Sequence, residues 1–299
     1  MPEAFRCGYI ALVGRPNTGK STLLNRILGQ KISITSRRPQ TTRHRVLGIK
    51  TTADVQFVYV DTPGIHEFSG RAMNRHMNRA ASSVLHDVDV VVFLVDGLSW
   101  TADDELVLTK LASVECPVLL AVNKVDKLAR REDLLPWLQT LSGKRTFDRI
   151  IPISAAKGDN IAELEACIES LLPVSPPYFP EDQVTDRSER FLVAELVREK
   201  LFRKLARELP YGLTVEIESF RRENAVTHIH ALIWVERTSQ KSIVIGKQGR
   251  LLKEVGQQAR RDIEELLGGK VNLKLWVKVK EGWADDERAL RSLGYTDHD

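Results

Sequence analysis

Gly14-Arg15-Pro16-Asn17-Thr18-Gly19-Lys20-Ser21 fits the pattern G-x-x-x-x-G-K-[ST], and its neighbours say how to read it. The apolar run 9–13 enters it with the composition of a buried parallel strand, and residues 22–28 leave it with helical spacing. Strand, glycine-rich turn and helix in that order make a phosphate cradle. Gly14 and Gly19 let several backbone N–H groups face one point, and the helix dipole adds positive potential there. The natural guest is a polyphosphate. Lys20 neutralises its outer phosphates, Ser21 offers a hydroxyl to a magnesium ion that touches them, and Thr22 closes the run.

Outward from this loop, the polar, basic stretch 31–45 contains Gln40-Thr41-Thr42 and carries no strong period, which predicts a loop whose hydroxyl closes over the nucleotide. Gln56-Phe57-Val58-Tyr59-Val60 then predicts a strand running into Asp61-Thr62-Pro63-Gly64. An aspartate at that strand end can hold magnesium, and the Gly64 N–H can reach the terminal phosphate. The β-branched run 88–96 predicts a central buried strand, and 103–111 a helix with acids in its first turn, where the dipole favours them. The next strand, 117–122, ends at Asn123-Lys124-Val125-Asp126.

That last signature selects the base. Guanine presents N1–H and a 2-amino group side by side, so the Asp126 carboxylate accepts both in a fork, whereas adenine would set a lone pair against it. Asn123 ties the loops together, and the alkyl stem of Lys124 lies along the base plane. A further strand, 149–153, meets Ser154-Ala155-Ala156, whose backbone N–H groups face the guanine carbonyl oxygen. With the helix 161–172 the alternation predicts an α/β fold: a mostly parallel sheet with helices on both faces and its ligand at the carboxyl ends of the strands.

Residues 6–172 resemble the Ras-like P-loop GTPases. The resemblance implies GTP and GDP as ligands, Mg2+ held by Ser21, Thr42 and Asp61, and catalysis by Lys20, Thr42 and Gly64, with Thr41 the competing choice for the switch threonine. One departure bears on mechanism: where Ras-like enzymes carry a water-orienting glutamine after D-x-x-G, this chain has Ile65, which implies slow intrinsic hydrolysis. Asn17 resembles the asparagine with which some bacterial relatives hold K+ beside the phosphates.

At 299 residues, with 42% hydrophobic and 28% charged residues, the chain has room for two ordinary globular domains. No apolar run approaches the ~18 residues needed to cross a bilayer, and the start lacks a signal-peptide core, so a cytoplasmic address is expected. The three cysteines are far apart and without C-x-x-C spacing, which indicates neither a disulfide framework nor a zinc cluster. Arg71, Arg75 and Arg79 form a helical stripe that reads as a solvated face ahead of an RNA contact.

Pro173, Pro176, Pro177 and Pro180 fall within eight residues and mark a stiff linker, 173–187, between an N-terminal domain, 1–172, and a second domain, 188–281, followed by a tail, 282–299. The second domain reads as an amphipathic helix over 188–207, two alternating strands, a helix reaching about residue 267 and a last strand. That strand sets Val271, Leu273, Leu275, Val277 and Val279 on one face and Lys274, Trp276, Lys278 and Lys280 on the other. Gly246-Lys247-Gln248-Gly249 within this order resembles the G-x-x-G loop of a type II KH domain, a small α+β module that clamps about four nucleotides of single-stranded nucleic acid. From Arg237 to Lys280 there are eleven Lys or Arg against four Asp or Glu, so positive charge gathers where a phosphate-tracking surface needs it. Lys247, Arg250 and Lys253 are the leading phosphate contacts. Trp276 reads equally as a stacking platform or as a surface aromatic packed on its neighbours.

A GTPase domain joined to a KH module, with Phe179-Pro180-Glu181-Asp182 in the linker and Gly282-Trp283-Ala284-Asp285-Asp286 in the tail, resembles the Era family of bacterial GTPases over nearly the whole chain. The resemblance implies a monomeric assembly factor for the small (30S) ribosomal subunit that binds the 3′ end of 16S rRNA, with peripheral contact at the inner membrane. Two other classes of answer are an RNA-modifying or metabolic enzyme regulated by GTP, and a membrane or cell-cycle signalling switch without RNA. The first would need a second catalytic constellation, and no clustered His, Cys or paired carboxylates follow residue 180.

Overall fold

The computed structural model describes residues 4–286 apart from 37, 39, 66–71, 98 and 206–208; Arg71 of the arginine stripe lies outside the described residues. The chain packs as two units, one of residues 1–33, 42–68 and 77–186 and the other of 34–41, 69–76 and 187–299.

In the first unit six strands form one sheet in the order β2-β3-β1-β4-β5-β6. They are β1 (Arg6–Val13), β2 (Val46–Thr51), β3 (Val55–Asp61), β4 (Val90–Asp96), β5 (Val118–Asn123) and β6 (Arg149–Pro152). All neighbours pair parallel except β2, which runs antiparallel to β3 from Val46 opposite Asp61 to Thr51 opposite Gln56. The central strands are buried and mostly apolar, as a sheet covered by helices requires: every residue of β3 is buried, Gln56 and Asp61 included, as are the apolar residues 90–95 of β4. The helices are α1 (Lys20–Leu28), α2 (Ala72–Ser83), α3 (Ala102–Leu111), α4 (Leu134–Ser142) and α5 (Ile161–Leu171).

Residues 173–186 continue on this unit. Cys7 N–H donates to Pro173 O at 3.2 Å and Ser175 N–H to Phe5 O at 3.1 Å. The rings of Tyr9 and Tyr178 stack at 5.5 Å. Buried Gln56 accepts both the Tyr178 and Phe179 N–H groups at 2.8 and 3.0 Å. On the outer edge of β2, Ile49 N–H donates to Val184 O at 2.7 Å and Leu47 N–H to the Asp186 carboxylate at 3.1 Å.

The second unit has a three-stranded sheet in the order β7-β8-β9: β7 (Leu213–Glu223) and β8 (Val226–Val235) pair antiparallel, and β9 (Lys270–Val279) pairs parallel to β8. One face is covered by α6 (Glu189–Lys204), α7 (Thr238–Ile245) and α8 (Arg250–Leu267). Ser188 caps α6 by accepting the Phe191 N–H at 3.3 Å. Helix α8 buries Val255, Ala259 and Ile263, one position per turn, and these join Val193, Val197 and Leu201 of α6 in a single apolar core. Residues 34–41 pack with this unit: Thr35 N–H donates to the buried Glu199 carboxylate at 3.0 Å, and Arg198 donates to Thr41 O at 2.6 Å.

Candidate nucleotide site and nucleic-acid groove

The phosphate loop leaves β1 at Gly14 and enters α1 at Lys20, with Gly14, Asn17 and Gly19 all at positive φ. Lys20 is buried, its Nζ donating to Gly14 O at 2.9 Å and Arg15 O at 3.0 Å. Burial pushes its pKa down to about 8, against a smaller opposing pull from Asp61. The loop thus holds a desolvated ammonium whose natural partner is an anion. Thr18 Oγ1 donates to Arg15 O at 3.1 Å, and Thr62 Oγ1 to Leu12 O at 2.9 Å. Gly64 lies so close under the loop that a Cβ there would sit 2.6 Å from Pro16 N, and buried Ile65 donates its N–H to Gly14 O at 3.3 Å. Only a glycine lets the two loops meet.

Four side-chain oxygens converge next to Lys20. Ser21 Oγ lies 2.8 Å from Thr42 Oγ1 and donates to Asp61 Oδ2 at 2.7 Å, and Ser33 Oγ also donates to Asp61 Oδ2, at 2.8 Å. Asp61 is fully buried, and its second oxygen, Oδ1, has no hydrogen-bond partner. Burial raises the Asp61 pKa, opposed by the Ser21 hydrogen bond, Lys20 and Ser33. A buried carboxylate with an unsatisfied oxygen and two hydroxyls is a hard-oxygen donor set that fits magnesium. Of the two candidate threonines, Thr42 faces this cluster, whereas Thr41 Oγ1 donates to Arg38 O at 2.8 Å and lies 2.6 Å from Ser36 Oγ.

At the ends of β5 and β6 the residues expected to read the base come together. Asn123 Nδ2 donates to Thr18 O at 2.7 Å, and Asn123 Oδ1 accepts the N–H groups of Lys124 and Ala155 at 2.8 and 3.0 Å. One side chain therefore joins the phosphate loop to both base loops. Ser154 Oγ donates to Asp126 Oδ1 at 2.7 Å, which fixes the carboxylate plane, and Arg26 donates to Ala155 O at 3.3 Å and also to Ala156 O.

In the second unit α7 ends at Ile245 with Gly246 as its cap, residues 247–249 make one tight turn, and α8 starts at Arg250. Gly246 has φ 73°, and a Cβ there would lie 2.7 Å from Leu251 Cβ. Gly249 and Gln248 are also at positive φ, and Lys247, Gln248 and Arg250 are exposed. Beside the turn runs an open groove of about 460 Å³, with Gly249, Leu252, Lys253, Gly256, Gln257 and Arg260 on the α8 side and Leu273 and Leu275 on the β9 side. The apolar wall suits base faces and the cationic wall suits phosphates. Trp276 alternates to the opposite face of β9, where its ring meets His230 edge-on at 5.1 Å.

Comparison with known proteins assigns a family to each of the two regions. Residues 9–124 match the family model described as 50S ribosome-binding GTPase, and residues 208–284 match the KH domain model. GTPase Era of Marinobacter nauticus is 62% identical over 296 residues, covering 99% of this chain and 97% of that protein. GTPase Era of Pseudomonas aeruginosa is 59% identical over 297 residues, covering 99% and 97%. The chain belongs to the Era family of GTPases. As an Era GTPase it hydrolyses GTP, with a KH domain appended. Two solved Era structures superpose over 98% of this chain and 100% of theirs at 38% identity. One is an Aquifex aeolicus Era variant bound to GDP and aluminium fluoride, with a TM-score of 0.94. The other is Era in complex with MgGDPNP and nucleotides 1506–1542 of 16S ribosomal RNA, with a TM-score of 0.95.

Several residues of this Era chain carry the site without standing in a motif. Asn25 accepts the Ile32 and Ser33 N–H groups at 3.0 Å each, presenting Ser33 to Asp61. Asp104, fully buried at the start of α3, accepts Arg15 Nε at 2.9 Å as well as the Thr101 N–H. The acids in the first turn of α3 were the one visible signal, and they gave no hint of a partner 89 residues earlier.

Proposed function

We propose that this Era-family GTPase is an assembly factor of the small (30S) ribosomal subunit that grips single-stranded RNA near the 3′ end of 16S rRNA, with the nucleotide deciding how firmly. One observation carries the reading. The same chain holds a phosphate loop with the Asp126 carboxylate fixed by Ser154 near it in the fold and, on its second unit, a G-x-x-G turn opening onto a groove lined by Lys253 and Arg260 on the α8 side and by leucines of β9. A relative described in complex with 16S nucleotides supports the choice of RNA.

At the first site Gly14 through Thr22 hold the phosphates, with Lys20 neutralising the outer ones; Asp61, Thr62, Pro63 and Gly64 close the far side, and Asn123, Lys124, Asp126 and residues 154–156 take the base. Ser21, Thr42 and Asp61 are the side chains for a magnesium ion, which when bound draws charge from the phosphate oxygens. The Gly64 N–H stabilises charge gathering on the terminal phosphate as its bond to the β-phosphate breaks. With Ile65 following Gly64, no side chain at that position orients water, so turnover is slow. Asn17, at φ 65° in the loop, supplies an amide oxygen for K+. Turnover therefore runs faster in potassium than in sodium, and equal rates would remove that cation from the scheme.

Coupling to RNA has a covalent route. Thr41 O accepts from Arg198 of the second unit, and the next residue, Thr42, lies beside Ser21. We assign residues 173–187 to the linker, 188–281 to RNA binding at Gly246, Lys247, Gln248, Gly249, Arg250 and Lys253, and the chain to the cytoplasm as a monomer with peripheral inner-membrane contact. Among the described residues no helix is long and apolar enough to cross a membrane. The test is fluorescence anisotropy with an oligonucleotide of the 16S 3′-terminal sequence, under GTP analogue, GDP and no nucleotide. Three equal affinities would refute the coupling. Charge reversal at Lys247 that leaves RNA binding intact would favour a signalling role instead.

A further inference from the structure

Asp96 ends β4, directly opposite Asn123 at the end of β5. Its carboxylate, mostly shielded from solvent, accepts Lys124 Nζ at 2.7 Å and lies 4.0 Å from Arg15 Nη2. Gly97 N–H donates to Asn123 O at 2.7 Å, so the two strand ends are locked in register at this point. Arg15 is itself held by Asp104 at 2.9 Å and Ser99 Oγ at 3.1 Å. Lys124 has φ 67°, and its backbone N–H is taken by Asn123 Oδ1. Both ends of the Lys124 side chain are thereby anchored, the backbone by Asn123 and the ammonium by Asp96, with the four-carbon stem held between them two residues before Asp126. None of the motifs read from the sequence includes Asp96.

We propose that Asp96 is a positioning residue for the nucleotide base: it anchors the Lys124 ammonium so that the alkyl stem forms a ready-made floor for the ring. This rests on the reading of Lys124 and Asp126 as the base pocket. A floor contributes through contact with the ring face, which is the same for every purine, whereas the Asp126 fork reads ring substituents. Asp96 therefore governs how tightly a purine nucleotide is held and not which one.

Measurements with GDP and inosine diphosphate, which lacks the 2-amino group, separate the two roles. Asp96→Asn removes the charge that holds Lys124 and is expected to weaken both nucleotides by the same factor, about three- to tenfold. The loss should appear in KM for GTP rather than in kcat, and Asp96→Glu should recover most of it. Asp126→Asn should weaken GDP far more than inosine diphosphate; if it does not, the pocket reading itself fails. In a Lys124→Met background, which keeps an alkyl stem without the ammonium, Asp96→Asn should add nothing further. Full additivity of the two substitutions, unchanged nucleotide affinity in Asp96→Asn, or a loss confined to GDP would each overturn the proposal. A lowered melting temperature with unaltered affinity would do so too, by leaving Asp96 a purely structural role.

Discussion

Lys20 should take up a proton when a nucleotide binds. In the nucleotide-free protein its pKa is brought from the ordinary 10.5 down to about 8 by burial. A bound polyphosphate supplies the missing counter-charge and returns it to the usual lysine range or above. Binding must then take up a proton wherever the free protein has lost one. At pH 8.5 the free ammonium is roughly one-quarter populated and the bound one nearly full, so about three-quarters of a proton is absorbed per nucleotide. Affinity falls about fourfold between pH 7 and 8.5 on this account. Isothermal titration of GDP at pH 8.5 in two buffers of different ionisation enthalpy reads the proton directly, and that pH leaves the guanine N1 proton in place. Uptake indistinguishable from zero would refute the argument. The same depression has a sign for stability. Between about 8 and 10.5 the unfolded chain binds more protons at this residue than the folded one, so its contribution makes folding more favourable as pH rises through that window. Below it the buried charge costs up to about 3 kcal/mol. Lys20→Met should accordingly stabilise the nucleotide-free protein at pH 7 while abolishing nucleotide binding, as chemical denaturation and titration would show.

Gly64→Ala would place a methyl 2.6 Å from Pro16 N and force the two loops apart; single-turnover hydrolysis should fall at least about tenfold, while GDP binding suffers less. Thr42→Ala should weaken the magnesium dependence of GTP binding, whereas Thr41→Ala, whose hydroxyl serves its own loop, should leave that dependence in place. Lys253→Ala should weaken RNA binding and lower the slope of log affinity against log salt by about 1, measured by anisotropy across a salt series.

Much of the first unit was readable because each nucleotide motif sits at the carboxyl end of a strand, so the motif dates the strand and the strand validates the motif. The alternation of β9 likewise foretold an apolar face under the helices and a basic one outside. Strand β2 was not foreseen. Residues 46–51 are short and follow a polar stretch, and their strand character comes from pairing with β3. Helix α4 also went unread, its Leu134-Leu135-Pro136-Trp137 start carrying a proline that argues against a long helix. Asp96 and Asp104 were out of reach for a different reason: an ion pair leaves no period and no spacing in the chain. The groove walls at Gly256 and Arg260 became visible only once α8 was laid beside β9.

The run of prolines from 173 onward invites a cut just before it, yet the outward N–H groups of β2 are satisfied by Val184 and Asp186. A fragment ending at 172 would bare the rim of the sheet as a template for self-association, the hazard that a naked margin of any sheet presents. Ending the fragment at 186 keeps that margin sealed, so a free-standing GTPase piece of this chain should remain dispersed only when it carries its proline-rich hem.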